Sequence, residues 1–163
     1  MINGVHHIAL STTNLERFLS FYNGLLGLPI LSSGHITPGN TAFERVVGLE
    51  ATNVRIAHLG AGNVHIEVFE YAQPIPVGGT ALRSCDVGIR HIAFDVTDIH
   101  AEYERLKAAG VKFLSEPQVM GDKEHDYGVR AVYCRDPDEN IVELQEILPH
   151  SILDKAHVRG IPL

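Results

Sequence analysis

Apolar and polar residues follow the same order twice along the chain. Residues 4–10 (GVHHIAL) return 84 positions later as residues 88–94 (GIRHIAF). In each copy, alternating apolar and polar residues predict a strand, and a polar step followed by an amphipathic stretch predicts a helix. Short apolar runs that predict further strands follow in both copies. The chain is therefore an internal duplication, which constrains the architecture before any finer feature does.

The first copy predicts one helix and four strands. The helix runs from Leu15 to Leu26, with Asn14 as its N-cap and Gly27 at its end. Residues 32–52 are rich in Gly, Ser and Thr, with a short strand or helix around 43–47. Gly and Asn in residues 60–63 predict the turn of a hairpin. The predicted strands cover residues 5–12, 28–31, 54–59 and 64–71.

The second copy repeats this order. Asp98 caps a predicted helix over residues 99–109, and Gly110 ends it. The predicted strands cover residues 89–96, 111–114, 129–134 and 140–147. Strand, helix and three strands in each copy indicate an α+β fold of two βαβββ modules. The predicted divisions are a first module (1–72), a linker (73–86), a second module (87–148) and a C-terminal extension (149–163) that forms an extra helix or arm.

Composition narrows the classes of partner. The 163 residues are 45% hydrophobic and 20% charged, with a net charge of −7, and no basic stripe suggests nucleic acid or an anionic membrane. No apolar run approaches the roughly 20 residues that span a bilayer, and no signal peptide is visible. Cys85 and Cys134 lie outside any CxxC pattern, which favours a reducing compartment. We expect a cytoplasmic protein that acts on a small molecule.

Two histidines and two glutamates recur at matching places. His7 and His91 open the first strand of each copy, and Glu67 and Glu143 lie between apolar residues in the last strand. Strand alternation places both histidines away from the side that packs on the helix. Two imidazoles and two carboxylates neutralise a divalent ion and leave two of six octahedral positions open. Open positions are typical of a catalytic metal site.

Single residues of these types carry less information. A histidine at the start of a strand is usually only a polar end, and a glutamate in a strand is usually solvated. Recurrence of all four in two copies favours a shared site. His6 points the other way from His7, and we interpret it as structural or superficial. Five further histidines carry no spacing signal, and we interpret them as surface residues: His35, His58, His100, His150 and His157.

These motifs resemble the vicinal oxygen chelate superfamily, which includes glyoxalase I, methylmalonyl-CoA epimerase, ring-cleaving dioxygenases and bleomycin-binding proteins. The resemblance covers residues 4–148 and is most specific at 7–10, 91–94 and 136–144 (DPDENIVEL). Glu139 departs from the family's usual turn glycine. The resemblance implies modules paired into a curved mixed sheet around a metal-binding cleft. It also implies one divalent ion (Zn, Ni, Co, Mn or Fe) and a homodimer.

Proton-transfer chemistry is the favoured activity. The four candidate ligands, His7, Glu67, His91 and Glu143, resemble the set of bacterial glyoxalase I. The resemblance implies a lyase or isomerase that abstracts a proton beside a metal-bound carbonyl, with Glu143 or Glu67 as the base. Epimerases of the family usually have Gln at the position of Glu67. Ser11 and Tyr71 replace the family's glutathione-contacting Arg and Asn, which weighs against a glutathione hemithioacetal.

A ring-cleaving dioxygenase is the alternative. The stretch from His125 to Glu143 resembles the signature of those enzymes. That resemblance implies Fe(II) or Mn(II) on His7, His91 and Glu143, with His65, His125 and Tyr133 handling protons. A metal-free drug-binding protein is a third class, against which the complete His/Glu set argues. For the favoured activity, His65 and Tyr133 are further catalytic candidates. The predicted substrate-binding residues are Phe69, Tyr127, Arg130 and His125.

Overall fold

The computed structural model, which describes residues 4–77, 81–122 and 124–151, has two sheets of four strands each. The described residues divide into two units between positions 79 and 80. Each unit contains one of the sheets. Within the described ranges, no helix has both the length and the apolar character needed to cross a membrane.

The first unit begins with strand β1 and places it beside the last strand of the same unit. Its elements are β1 (His7–Thr12), α1 (Leu15–Leu19) continuing as a π-helix (Ser20–Leu25), β2 (Ile30–Ile36), α2 (Thr41–Val47), β3 (Asn53–Ala61) and β4 (Val64–Gln73). The strand order is β1-β4-β3-β2. Strand β1 runs parallel to β4, and the other neighbours are antiparallel.

The second unit has the same topology. Its elements are β5 (His91–Asp95), α3 (Ile99–Ala108), β6 (Gln118–Gly121), β7 (Asp126–Arg135) and β8 (Ile141–Ile147). The strand order is β5-β8-β7-β6, with β5 parallel to β8. The duplication in sequence is therefore a duplication of topology, and the predicted α+β fold of two βαβββ modules is confirmed.

Helices α1 and α3 start with the caps that the sequence predicts. The Asn14 side chain accepts a hydrogen bond from the Arg17 amide at 2.9 Å, and Asp98 accepts one from Ala101 at 3.1 Å. Such bonds satisfy amides that have no partner within the first turn of a helix. The caps explain why α1 and α3 begin at Leu15 and Ile99.

A second carboxylate attaches each helix start to the last strand of its unit. Glu70 of β4 accepts a hydrogen bond from the Leu15 amide at 3.2 Å. Glu146 of β8 accepts bonds from the amides of Asp98 and Ile99 at 3.0 and 3.2 Å. Both glutamates follow the candidate ligand of their strand by three residues, so they project from the opposite face.

The helix-facing side of each sheet is apolar. Phe18 and Tyr22 are fully buried and stack with ring centroids 4.2 Å apart. Fully burying a large apolar side chain contributes about 1.5–3 kcal/mol. The fully buried strand residues include Leu59, Ile66, Val68, Val142 and Leu144. Because one face of each sheet packs into this core, the His and Glu side chains lie on the other face.

Two predicted strands are placed differently in the structure. The prediction of a strand at 111–114 is wrong, since Phe113 forms only an isolated bridge with Cys134 and β6 starts at Gln118. Pro117 has no amide hydrogen and interrupts the strand pairing between Phe113 and Gln118. Strand β2 covers Ile30–Ile36 rather than the predicted 28–31. Of the strand or helix predicted around 43–47, the structure has the helix, α2. Most of the predicted C-terminal extension, residues 152–163, lies outside the described residues.

Candidate functional site

The four predicted metal ligands form two equivalent pairs, one in each unit. In the first unit, Nε2 of His7 lies 3.4 Å from Oε2 of Glu67. In the second, Nε2 of His91 lies 3.1 Å from Oε2 of Glu143. The register is the same, because each glutamate is opposite the residue two positions after its histidine. The same pairing is therefore built twice, on the sheet face turned away from the helix.

The spacing of each pair suits two neighbouring ligands of one cation. Metal bonds of about 2.1 Å place two ligand atoms roughly 3.0 Å apart at an octahedral angle and about 3.4 Å apart at a tetrahedral one. Both observed distances fall at these values. Within neither unit do three or more described His, Cys, Asp or Glu side chains group so as to hold a metal ion alone. Each unit thus brings one histidine and one glutamate into contact with each other.

The two carboxylates differ in burial. The Glu143 side chain is 9% exposed and that of Glu67 is 16% exposed. Burial raises the pKa of Glu143 above its ordinary value, while the nearby His91 acts in the opposite direction. A carboxylate with a raised pKa is a stronger base toward a carbon-bound proton. Glu143 is therefore the better suited of the two for proton abstraction.

His58 of β3 is a third residue at the first pair. It lies opposite Glu67 in the ladder, and its Nε2 is 3.0 Å from Oε1 of Glu67. Its Nδ1 is 2.9 Å from the Ser32 hydroxyl of β2. Interpreting His58 as a surface residue without a role in the site was wrong. Its side chain is 33% exposed and is bonded on both sides.

The hairpin turn contains the signal that identifies His58. A turn over residues 60–63 puts residue 56 opposite Glu67, whereas the structure pairs Ala61 with Val64. The actual turn is the two residues Gly62 and Asn63, with a φ of +74° at Gly62. Gly-Asn is one of the dipeptides that favour two-residue hairpins. Assigning that shorter turn would have paired His58 with Glu67.

His6 contacts the outer side of His7. The two Nδ1 atoms are 2.9 Å apart, so one ring donates a hydrogen bond to the other. The His6 ring is also 5.3 Å from the ring of His65. Hydrogen bonding at Nδ1 of His7 leaves its Nε2 toward Glu67, which is the usual arrangement of a metal-binding histidine. His6 therefore orients His7 rather than lying apart from it.

Tyr133 occupies in the second unit the place that His58 has in the first. It lies opposite Glu143 in the ladder, and its ring centroid is 5.3 Å from that of His91. Burial and then the charge of Glu143 raise the pKa of Tyr133. The structure thus brings this predicted catalytic residue to the His91–Glu143 pair.

The remaining predicted residues lie in three places. His65 and Phe69 share the face of Glu67, and the Phe69 ring is 5.8 Å from that of Tyr71. His125 and Tyr127 both contact Asp122, at 3.3 and 2.9 Å.

Arg130 lies opposite Glu146, on the other face from Glu143, and donates to Asp126 at 2.8 Å. This engagement takes its guanidinium away from the face of the His–Glu pair.

The chain belongs to the Glyoxalase/Bleomycin resistance protein/Dioxygenase superfamily, whose family pattern it matches over residues 4–144. It is 31% identical over 126 residues to a 2-epi-5-epi-valiolone epimerase from Actinomyces sp., a match that covers 72% of this chain and 66% of that protein. The chain thus spans about two thirds of that relative. It is 27% identical over 150 residues to an ethylmalonyl-CoA/methylmalonyl-CoA epimerase from Cereibacter sphaeroides, covering 90% of this chain and all of that one.

A solved structure supports the fold. The chain resembles a glyoxalase family protein from Bacillus cereus with a TM-score of 0.77 at 22% sequence identity. The match covers 91% of this chain and 96% of that one. The fold of the superfamily is thereby established for this chain.

Proposed function

We propose that this protein is a divalent-metal-dependent isomerase of the epimerase type, which moves a proton at a carbon beside a carbonyl group. The observation that carries the proposal is the pair of matching His–Glu contacts, at 3.4 and 3.1 Å, on the face of each sheet opposite α1 or α3. Epimerases among its relatives, including the two named above, support an isomerase over a lyase of the glyoxalase type. Ser11 and Tyr71, where glyoxalase I has glutathione contacts, point in the same direction.

The proposed metal ligands are His7, Glu67, His91 and Glu143. Their donor set of two imidazole nitrogens and two carboxylates suits Zn, Ni, Co, Mn or Fe. When bound, the ion would polarise the carbonyl of the substrate and acidify the neighbouring C–H bond.

Glu143 is the proposed general base. It is the more buried carboxylate, and its raised pKa increases its affinity for the proton that leaves the substrate. Glu67 has an imidazole at each oxygen, which suits a ligand held in one orientation. His65 and Tyr133 are the proposed neighbours that hold or pass on protons.

Phe69, Tyr127 and His125 are the proposed contacts of the substrate. Phe69 is the best placed, since it shares the face of Glu67. We omit Arg130 from this set because its guanidinium is bonded to Asp126 on the opposite face. The substrate class that fits the chemistry is a small 2-oxo compound or an acyl thioester with an acidic α-hydrogen.

Metal analysis and proton exchange together test the proposal. We expect one divalent ion per chain and loss of α-proton exchange in deuterated water after chelation, followed by recovery when the ion is returned. A panel of 2-oxo compounds and acyl thioesters would be monitored by NMR.

Full metal content in a Glu67→Ala variant would refute the four-ligand set. Oxygen consumption with catechols, in place of exchange, would refute the isomerase and establish the dioxygenase.

We also propose a cytoplasmic homodimer, on the basis of the cysteine pattern and the family resemblance. Light scattering after size exclusion tests the assembly, and a mass equal to one chain would overturn it.

A further inference from the structure

Glu67 stands in a chain of hydrogen bonds that crosses three neighbouring strands. Ser32 of β2 lies opposite His58 of β3, and His58 lies opposite Glu67 of β4. The Ser32 hydroxyl is 2.9 Å from Nδ1 of His58, and Nε2 of His58 is 3.0 Å from Oε1 of Glu67. His7 contacts the other oxygen, Oε2. The carboxylate is thus held from both sides.

The direction of these bonds follows from the chemistry of the groups. An ionised carboxylate can only accept, so Nε2 of His58 carries the hydrogen and donates it. A neutral ring protonated at Nε2 accepts at Nδ1, and the Ser32 hydroxyl supplies that hydrogen. Ser32 therefore selects the tautomer of His58 that can hold Glu67.

We propose that His58, with Ser32 behind it, is a positioning residue that fixes Glu67 in the orientation required of a metal ligand. The inference rests on the proposed function, since it assigns Glu67 a ligand role. In the second unit, Tyr133 stands at the equivalent register and its ring lies by His91. Among the residues that the structure describes, only the carboxylate of the first pair has a second side chain bonded to it in this way.

A purely structural role for His58 makes a different prediction. If the bond only stabilised the sheet, its loss would lower the unfolding temperature and leave metal affinity unchanged. Removing the partner that orients a metal ligand typically weakens metal binding 10–100-fold. Metal affinity and stability therefore separate the two roles.

The experiment compares His58→Phe with His58→Gln. Phe keeps a ring but cannot donate, whereas the amide of Gln can still donate to Oε1 of Glu67. Zn(II) affinity would be measured by competition with a chromophoric chelator, beside thermal unfolding of the metal-free proteins. We expect about 10–100-fold weaker binding for His58→Phe and near wild-type binding for His58→Gln. His35→Phe, in β2, is the control, because His35 bonds Asn53 and is not part of the chain of bonds.

Ser32→Ala is the second variant and keeps the test decisive if His58→Phe does not fold. We expect a smaller loss of Zn(II) affinity, together with a change in the visible absorption of the Co(II)-substituted protein. Equal affinity of wild type, His58→Phe and Ser32→Ala would overturn the inference and leave the proposed function standing. A wild-type protein that binds no divalent ion would overturn the proposed function, and this inference with it.

Discussion

The two units place the same His–Glu pair in different surroundings. In the first, Glu67 has an imidazole at each oxygen, and His58 and Ser32 extend the contact across the sheet. In the second, Glu143 is more deeply buried and has His91 as its contact, with Tyr133 alongside. Both units have the same strand topology, so they differ in the side chains around the His–Glu pair and not in the fold.

The comparison shows which parts of the duplicated unit stayed alike and which diverged. The register of the His–Glu pair is the same in both units, and so are the carboxylates that bond the helix starts, Glu70 and Glu146. What differs is the residue opposite each candidate ligand, His58 or Tyr133. Under the proposed function, this divergence would give two chemically equal carboxylates different tasks, with Glu67 as the fixed ligand and Glu143 as the base.

The largest expected effect is a difference in the rate of proton exchange between variants of Glu143 and Glu67. Replacing Glu143 with Gln removes the proposed base, and we expect proton exchange to fall by on the order of 10²–10⁴-fold at saturating metal. Glu67→Gln keeps an oxygen donor, and we expect a loss below about tenfold at saturating metal. NMR of α-proton exchange measures both. A greater loss in Glu67→Gln would reverse the assignment.

Removing the carboxylates that hold the helix starts is expected to lower stability. Glu146→Ala leaves the amides of Asp98 and Ile99 at the start of α3 without their acceptor. Glu70→Ala leaves the Leu15 amide of α1 without its acceptor and also removes the ion pair with Arg55. We expect losses of about 1–3 kcal/mol in the free energy of unfolding for each variant. Urea denaturation of the metal-free variants measures them. Glu102→Ala, an exposed helix pair with Arg105, is the control and should change stability by less than about 0.5 kcal/mol.

Burial of Glu143 predicts a pH dependence of stability. Its pKa in the folded protein is raised above the ordinary value of 4.5, so the folded state binds the proton more tightly than the unfolded state. The contribution of this group is fully present below that value and is lost as the pH rises through the folded pKa. Metal-free Glu143→Gln should therefore be more stable than metal-free wild type at pH 7, with the gain disappearing near pH 4. Thermal unfolding at both values checks this, and an equal gain at both would contradict it.

The smallest expected effect concerns the labelling rates of the two cysteine thiols and involves no change in activity. Burial raises the pKa of Cys134 in β7 to about 12, while Cys85 is exposed. The thiolate is the reactive form, so one thiol should react rapidly at pH 8 in the folded protein and two after denaturation. Because Cys134 lies in the core of the second unit, its labelling rate reports the opening of that unit. Rapid labelling of both thiols in the folded state would show that the core of β7 and β8 is open.

The local pattern of the sequence determined the duplicated fold. The caps Asn14 and Asp98 predicted where the helices begin, and alternation predicted the free face of His7 and His91. These features depend on residues within a few positions of one another. Sequence alone therefore predicts the fold and the candidate ligands.

Tertiary structure decided what surrounds each ligand. The contact of His58 with Glu67 depends on a two-residue turn at Gly62 and Asn63, and a turn longer by two residues would have paired other side chains. The engagement of Arg130 with Asp126 depends in the same way on the register of β7. Register is set jointly by turn geometry and by packing between distant segments, so a turn dipeptide indicates a register but only the packed sheet decides it.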